Sequence, residues 1–285
     1  MSKHYIPVIT IAGSDSSGGA GAQADIKTIS ALGCYAASAI TAITVQNTRG
    51  VTAVHTVPAD IVEGQIRAVM DDIRPTVAKV GMVNDTATIR AIARALADYA
   101  DRMKAIIIDP VMVATSGSPL MQPDAIGAFR TELMPLATLL TPNVPEAEIL
   151  SGEKLGATAS EDDFQKAAGK IALQCASAVL IKGGHHEGRL KVDRLYDSEG
   201  TMTGLYSSPT VDTRNTHGTG CTLSSAIASY MARGLAVTDA IQEAKKWLSE
   251  ALKAGADVEI GDGHGPVDHF FMPSPMIITG PDNAE

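Results

Sequence analysis

The stretch NTHGTGCTLSSAI, residues 215–227, sets a thiol just after two closely spaced glycines and just before an apolar run. Gly218 and Gly220, with Thr219 between them, let the backbone curl so that successive N–H groups point into one concavity. A helix starting there adds the positive end of its dipole. Fixed donors of this kind suit a phosphoryl group in transfer, because they stabilise the charge that develops on it. They equally suit a glycine-rich turn that packs a helix close to a sheet. Taken alone, Cys221 fits a redox switch, a metal ligand, a nucleophile, a proton acceptor or a small core residue.

Other residues with chemical potential share one position. Gly13-Ser14-Asp15, Gln46-Asn47, Asp109, Asn143 and Lys182 each follow an apolar run. Strands that end together would gather them along one edge of a sheet. In open α/β sheets, ligands bind outside the carboxyl ends of the strands.

The elements that must hold these residues alternate. IPVITIAG, YAASAITAITVQN and TVAKVGMV read as strands, as do the shorter runs AIIIDP and AVLIKGG. The last two are almost continuously apolar, as expected of strands buried on both faces of a parallel sheet. Between them lie helical patterns: AGAQADIKTISALG ended by Gly33, ADIVEGQIRAVMDDI behind Pro58, and DTATIRAIARALADYA opened by Asp85. Two more, CTLSSAIASYMARG and TDAIQEAKKWLSEALKAGAD, follow near the end. The alternation predicts one three-layer α/β/α domain over residues 1–270 with a central, mostly parallel sheet. Residues 271–285 read as a loose tail. No fused second domain is expected at this length.

The 285 residues carry a formal net charge of −9 and no basic cluster, which argues against nucleic acid as a partner. No run is long and apolar enough to span a bilayer, and no targeting signal precedes the first strand, so a cytoplasmic protein is expected. Cys34, Cys175 and Cys221 are an odd, widely spaced set that fits reduced thiols. His185, His186, His264 and His269 have no cysteine or carboxylate at ligand spacing, and read as loop or surface histidines.

Two familiar phosphate patterns fail. Gly19, Gly21 and Ala24 match the dinucleotide fingerprint, but the next strand ends in Gln46-Asn47 where an acid should hold a ribose. Lys27-Thr28 follow Ile26, so the phosphate-loop pattern fails at its last glycine.

Several motifs in order carry a family resemblance: AGSDSSGGAGAQADIKT, TAITVQNTRGV, KVGMV, DPVMVATSG, LLTPNVPEAEIL, LIKGGH and NTHGTGCTLSSAIA. Together, from about Ile9 to Phe270, the chain resembles the hydroxymethylpyrimidine/phosphomethylpyrimidine kinases of thiamine biosynthesis, within the ribokinase superfamily. The resemblance implies a ribokinase-like fold and a homodimer. It implies ATP-dependent phosphorylation of 4-amino-5-hydroxymethyl-2-methylpyrimidine, first to the monophosphate and then to the diphosphate.

It also implies roles. Gln46 matches the pyrimidine reader; a carboxamide complements a ring nitrogen beside an amino group. Asp25 matches a second substrate contact, and Gly13, Met82 and Val111 match the walls around the ring. Asn143 and Glu146 form the N-x-x-E pattern in which the acid helps hold Mg²⁺, through water, with Asp109 sharing the role. Lys182, Asn143 and Thr216 match ATP contacts. Residues 109–117 match a flap that closes on the substrate, with Gly117 as hinge. Gly218, Thr219 and Gly220 match the anion hole, and Cys221 replaces the aspartate base usual in the superfamily. A helix N-terminus should draw its pKa from about 8.5 toward neutrality. Pyridoxal kinases of the same superfamily are the nearest alternative. Some carry a cysteine in the flap, where this chain reads Val113-Ala114-Thr115. A non-catalytic pyrimidine sensor is the alternative from another class.

Overall fold

Residue types at the strand positions explain the sheet. In Ala105–Ile108, Ile106 and Ile108 enter one apolar core and Ala105 and Ile107 the other. That is the period-two alternation of a strand buried on both faces. Truncating one such residue, as in Ile107→Ala, should cost on the order of 2–5 kcal/mol.

The computed structural model describes residues 3–113, 117, 120–156, 158–183 and 188–280. In chain order, a short β1 (His4–Tyr5) precedes β2 (Pro7–Asp15), α1 (Gly21–Ala31), β3 (Tyr35–Asn47) and β4 (Gly50–Thr56). There follow α2 (Ala59–Asp72), β5 (Val77–Val80), α3 (Thr86–Ala97), β6 (Ala105–Ile108) and the single turn α4 (Ala125–Ala128). The remainder is β7 (Leu139–Leu140), α5 (Val144–Ser151), α6 (Glu161–Cys175), β8 (Ala178–Ile181), β9 (Leu190–Tyr196), β10 (Met202–Pro209), α7 (Thr219–Ala232), α8 (Val237–Ala254) and β11 (Ile278–Thr279).

Nine strands form one sheet in the order β10-β9-β8-β7-β6-β5-β2-β3-β4. The pairings from β3 through β8 are parallel; at one edge β4 pairs antiparallel with β3, and at the other β9 pairs antiparallel with both β8 and β10. Helices α2, α3, α5 and α6 pack on one face, and α1, α7 and α8 on the other. The expected three layers are present. The antiparallel edges were not anticipated, because β4 and the β9–β10 hairpin carry weak, half-exposed alternation.

Local chemistry sets the helix ends. The Asp85 carboxylate accepts from the Thr88 N–H and starts α3. Asn143 and Glu146 form a reciprocal capping box at α5, which Gly152 ends in the left-handed conformation at φ 74°.

One expectation is corrected. The tail is not loose over its first part: the Ser274 and Ile277 N–H groups donate to Ala31 O and Gly33 O, and β11 pairs with β1. The apolar face of Gly33 explains the docking, since a Cβ there would meet Pro275 O at 2.6 Å and Ile277 at 3.0 Å.

Candidate active site

A cavity of about 630 Å³ opens at the carboxyl edge of the parallel strands. Every residue proposed above for catalysis, substrate, nucleotide or metal lines it, except Asp25. The flap is described only at its ends, Asp109–Val113 and Gly117; residues 114–116 lie outside the described residues, as do His185 and His186.

Gly218, in the cavity lining, adopts φ 76° and turns the chain into α7. Its Cβ position is filled by the carbonyl of Gly19, and that of Gly21 by the carbonyl of Gly13. Of the glycines that imitate a dinucleotide fingerprint, Gly19 lets the 18–21 loop lie against His217 and Gly218, and Gly21 lets it lie against Gly13 of β2. Gly220 is corrected in one respect: it is helical and does not need a left-handed backbone. It needs space, because a Cβ would stand 3.3 Å from Lys182 Nζ and 3.4 Å from Asp109 Oδ2. In the first turn of α7 the Thr219 N–H donates to Thr216 O at 3.3 Å and the Thr222 N–H to Gly218 O at 2.8 Å, while the N–H groups of Gly220 and Cys221 lie in the stretch of a helix that has no intrahelical acceptor and suits an anion.

Cys221 faces the cavity, and its thiol pKa is pushed up to about 11. Burial is the main cause; Lys79 opposes it, while the charges of Asp25 and Asp109 reinforce it. The expected fall toward neutrality is thus corrected. The helix start and the Gly21 N–H favour a thiolate, but desolvation beside two carboxylates outweighs them.

Beneath the start of α7 sits a charged cluster. Lys182 Nζ donates to Asp109 Oδ1 at 2.5 Å, and Asp109 also accepts from Thr141 and Ser224 hydroxyls at 3.2 and 3.3 Å. Burial pushes the Glu146 pKa up to about 7, with Lys182 pulling it down and Asp109 pushing it further up. Glu146 is not the solvated first-turn acid its position suggests; only 5% of it is exposed. Among the described residues, no three His, Cys, Asp or Glu side chains converge as a metal site. Two buried carboxylates in excess over one lysine are a donor set for a hard cation that keeps most of its waters.

Gln46, Met82 and Gly13 give the cavity lining a carboxamide beside an apolar wall, an arrangement that can read a planar ring. Gln46 follows Ala42 and Thr44 on the inward face of β3, beside a register shift that skips Thr52 of β4. Its backbone is pinned by Ser16, whose Oγ accepts from Gln46 N at 2.9 Å and donates to Gln46 O at 2.7 Å. Met82 closes the wall, with its sulfur 2.7 Å from where a Cβ on Gly13 would be. His217 was overlooked in the sequence. It is buried, lines the same cavity and lies 2.8 Å from Asp15 Oδ2 through Nε2. A histidine inside a glycine motif beside an anion site was the available signal. Of the histidines read as surface residues, His269 is corrected: it is buried, meets Thr222 Oγ1 at 3.1 Å, and burial lowers its pKa to about 4.

Asp25 is the other correction. It is fully buried and its carboxylate is saturated: Lys79 Nζ donates to both oxygens at 2.9 Å, Thr10 to Oδ2 at 2.5 Å, and Ser225 to Oδ1 at 2.7 Å. It lies behind the cavity wall and does not line the cavity. Lys79 was missed because it is the single charge in the apolar run of β5. A buried central strand that carries a lysine requires a buried anion, and the α1–α7 layer supplies it.

This fold and cavity define a ribokinase-like small-molecule kinase. Residues 15–268 match the family model described as phosphomethylpyrimidine kinase. A hydroxymethylpyrimidine/phosphomethylpyrimidine kinase of Rhizobium meliloti (strain 1021) is 48% identical over 262 residues, covering 92% of this chain and 96% of the relative. The crystal structure of a phosphomethylpyrimidine kinase from Clostridium difficile 630 superposes with TM-score 0.74 at 42% identity, over 86% of this chain and 99% of that one. An ADP complex of Bacillus subtilis pyridoxal kinase gives TM-score 0.82 at 36% identity, over 94% and 98%. The chain belongs to the phosphomethylpyrimidine kinase family.

Proposed function

We propose that this protein transfers the γ-phosphoryl group of ATP to the hydroxymethyl group of 4-amino-5-hydroxymethyl-2-methylpyrimidine, and then adds a second phosphoryl group to the monophosphate. The observation that carries this reading is the lining of one cavity: a carboxamide in contact with a histidine, and helix-start donors with a lysine and two carboxylates. The thiol lines the same cavity.

Gln46 engages the aminopyrimidine edge, and Met82, Gly13 and Val111 pack on the ring. The 218–221 turn holds the transferring phosphoryl through the N–H groups of Gly220 and Cys221, Lys182 and Thr216 contact the nucleotide phosphates, and Asn143 fixes the start of α5 beneath them. Asp109 and Glu146 would hold Mg²⁺, which neutralises charge on the phosphates when bound. In the first step Cys221 acts as base only in its thiolate form, which takes the proton of the hydroxymethyl group and becomes the neutral thiol; the raised pKa makes that thiolate scarce at neutral pH but strongly basic. The neutral thiol, the dominant form, faces the phosphomonoester in the second step, whose nucleophile is already anionic and needs no base.

Family likeness supports a homodimer in the cytoplasm; among the described residues, no helix is long and apolar enough to cross a membrane. Light scattering in solution tests the dimer. The function is tested by a coupled ATP assay with four acceptors: the pyrimidine alcohol, its monophosphate, pyridoxal and the thiazole alcohol. Turnover of the first two is expected. Preferred turnover of pyridoxal would overturn the reading.

A further inference from the structure

The Asp15–His217–Gln46 contacts contain a conflict that, once resolved, assigns a role to His217. Five donors converge on Asp15: Ser17 N and Oγ on Oδ1, and Gly19 N, Ala20 N and His217 Nε2 on Oδ2. Burial alone would raise its pKa, but the bonds from His217, Ser17 and Ala20 hold it well below the usual carboxylate range. A carboxylate only accepts, so His217 Nε2 carries its proton toward Asp15. Yet Gln46 Nε2, also a donor, faces that same nitrogen at 3.3 Å.

The other side of the carboxamide has the matching fault. Thr44 Oγ1 lies 2.9 Å from Ser14 O and 3.0 Å from Gln46 Oε1. A hydroxyl has one proton and cannot donate fully to both. A half-turn of the Gln46 carboxamide removes both faults together. The amide NH₂ then donates to Thr44 Oγ1, whose proton goes to Ser14 O, and Oε1 accepts from the His217 proton shared with Asp15.

We propose that His217, anchored by Asp15, fixes the orientation of the Gln46 carboxamide and so makes His217 a specificity-determining positioning residue. This inference rests on the pyrimidine reading above. With one oxygen lone pair and one N–H committed to His217 and Thr44, one acceptor and one donor remain for the cavity, in a fixed order. An amino group beside a ring nitrogen matches that order with two hydrogen bonds. A ring without the amino group, or with a methyl in its place, can satisfy only one. Without His217, the carboxamide turns freely and loses its preference.

His217→Leu removes the donor, and the four remaining bonds keep Asp15 satisfied. His217→Gln keeps an N–H at a similar reach. The experiment measures, by titration calorimetry, the dissociation constants of the aminopyrimidine alcohol and of its analogue lacking the 4-amino group. In the unaltered protein the amino group should improve binding about tenfold or more, the range of a bidentate contact. In His217→Leu that advantage should shrink to within about twofold, mostly through weaker binding of the amino compound. His217→Gln should restore most of it. A loss shared equally by both compounds, or an amino advantage that survives in His217→Leu, would overturn the role of His217. If the unaltered protein binds neither alcohol, the pyrimidine reading itself fails, and this inference with it.

Discussion

Gly218 and Gly19 meet backbone to backbone: the Cβ that any other residue would place at 218 is where the Gly19 carbonyl oxygen already lies. The loop before α1 and the start of α7 are therefore one unit. Gly218→Ala has to push the loops apart and also strains a left-handed backbone. We expect kcat/KM to fall by about 100-fold or more, as when an oxyanion donor is misplaced. Circular dichroism should show the fold retained. Activity within a few-fold of the parent would rule out this interlock as a requirement.

The raised Cys221 pKa has a direct chemical signature. Cys34 and Cys175 are buried, so Cys221 is the thiol that reagents reach first. Alkylation by iodoacetamide should be slow at pH 7 and should accelerate about tenfold per pH unit up to about pH 10, because only the thiolate reacts. Mass spectrometry locates the adduct. Fast alkylation that levels off near neutrality would show a low-pKa thiol instead.

Replacing the same residue by a permanent acid should separate the two phosphorylations. Cys221→Asp keeps a base for the neutral alcohol but sets a negative charge against the phosphomonoester. The second step should lose substantially more rate than the first, read from single-turnover assays with each acceptor. Equal losses would refute the charge argument.

Lys79 and Asp25 form a buried pair with both side chains fully inaccessible. Removing one partner strands the other. Lys79→Met should destabilise the protein by about 3–5 kcal/mol in urea titrations. The double variant Lys79→Met/Asp25→Asn should recover part of that loss. A double variant no more stable than Lys79→Met would show that the pair is not the source of the effect.

Glu146 gives a pH-dependent prediction with a definite sign. Its pKa rises from 4.5 unfolded to about 7 folded, so ionising it costs the folded state stability as pH climbs through that window. Glu146→Gln should therefore be more stable than the parent at pH 8 without divalent cations, by roughly 1–3 kcal/mol. The difference should vanish below about pH 4.5, where the carboxyl is protonated in both states. The same variant should need more Mg²⁺ for activity. A stability gap that does not change with pH would overturn the account.

What the chain disclosed before folding follows from the range of the forces involved. Apolar periodicity is local, so β2, β3, β6 and β8 and the helices around them were legible, as were the residues that follow each strand. The helix caps at Asp85 and Asn143 span three residues. The failures involve distant partners. Asp25 meets a lysine 54 positions away, and His217 an aspartate 202 positions away. The error on Cys221 has the same origin: the helix start is visible in the sequence, and the two carboxylates behind it are not. The tail was misread because Gly33, which receives it, lies at the other end of the chain.

The interlock of Gly19 with Gly218 also has a consequence in time. Each half of the anion site is supplied by a different third of the chain, and the ribosome makes them far apart. The β2–β3–β5 sheet can form early, with the 18–21 loop exposed and nothing to close against. If the site acts as proposed, a nascent chain is unable to hold phosphate, and so to spend ATP, until α7 emerges and seats its first glycine on the loop made long before it.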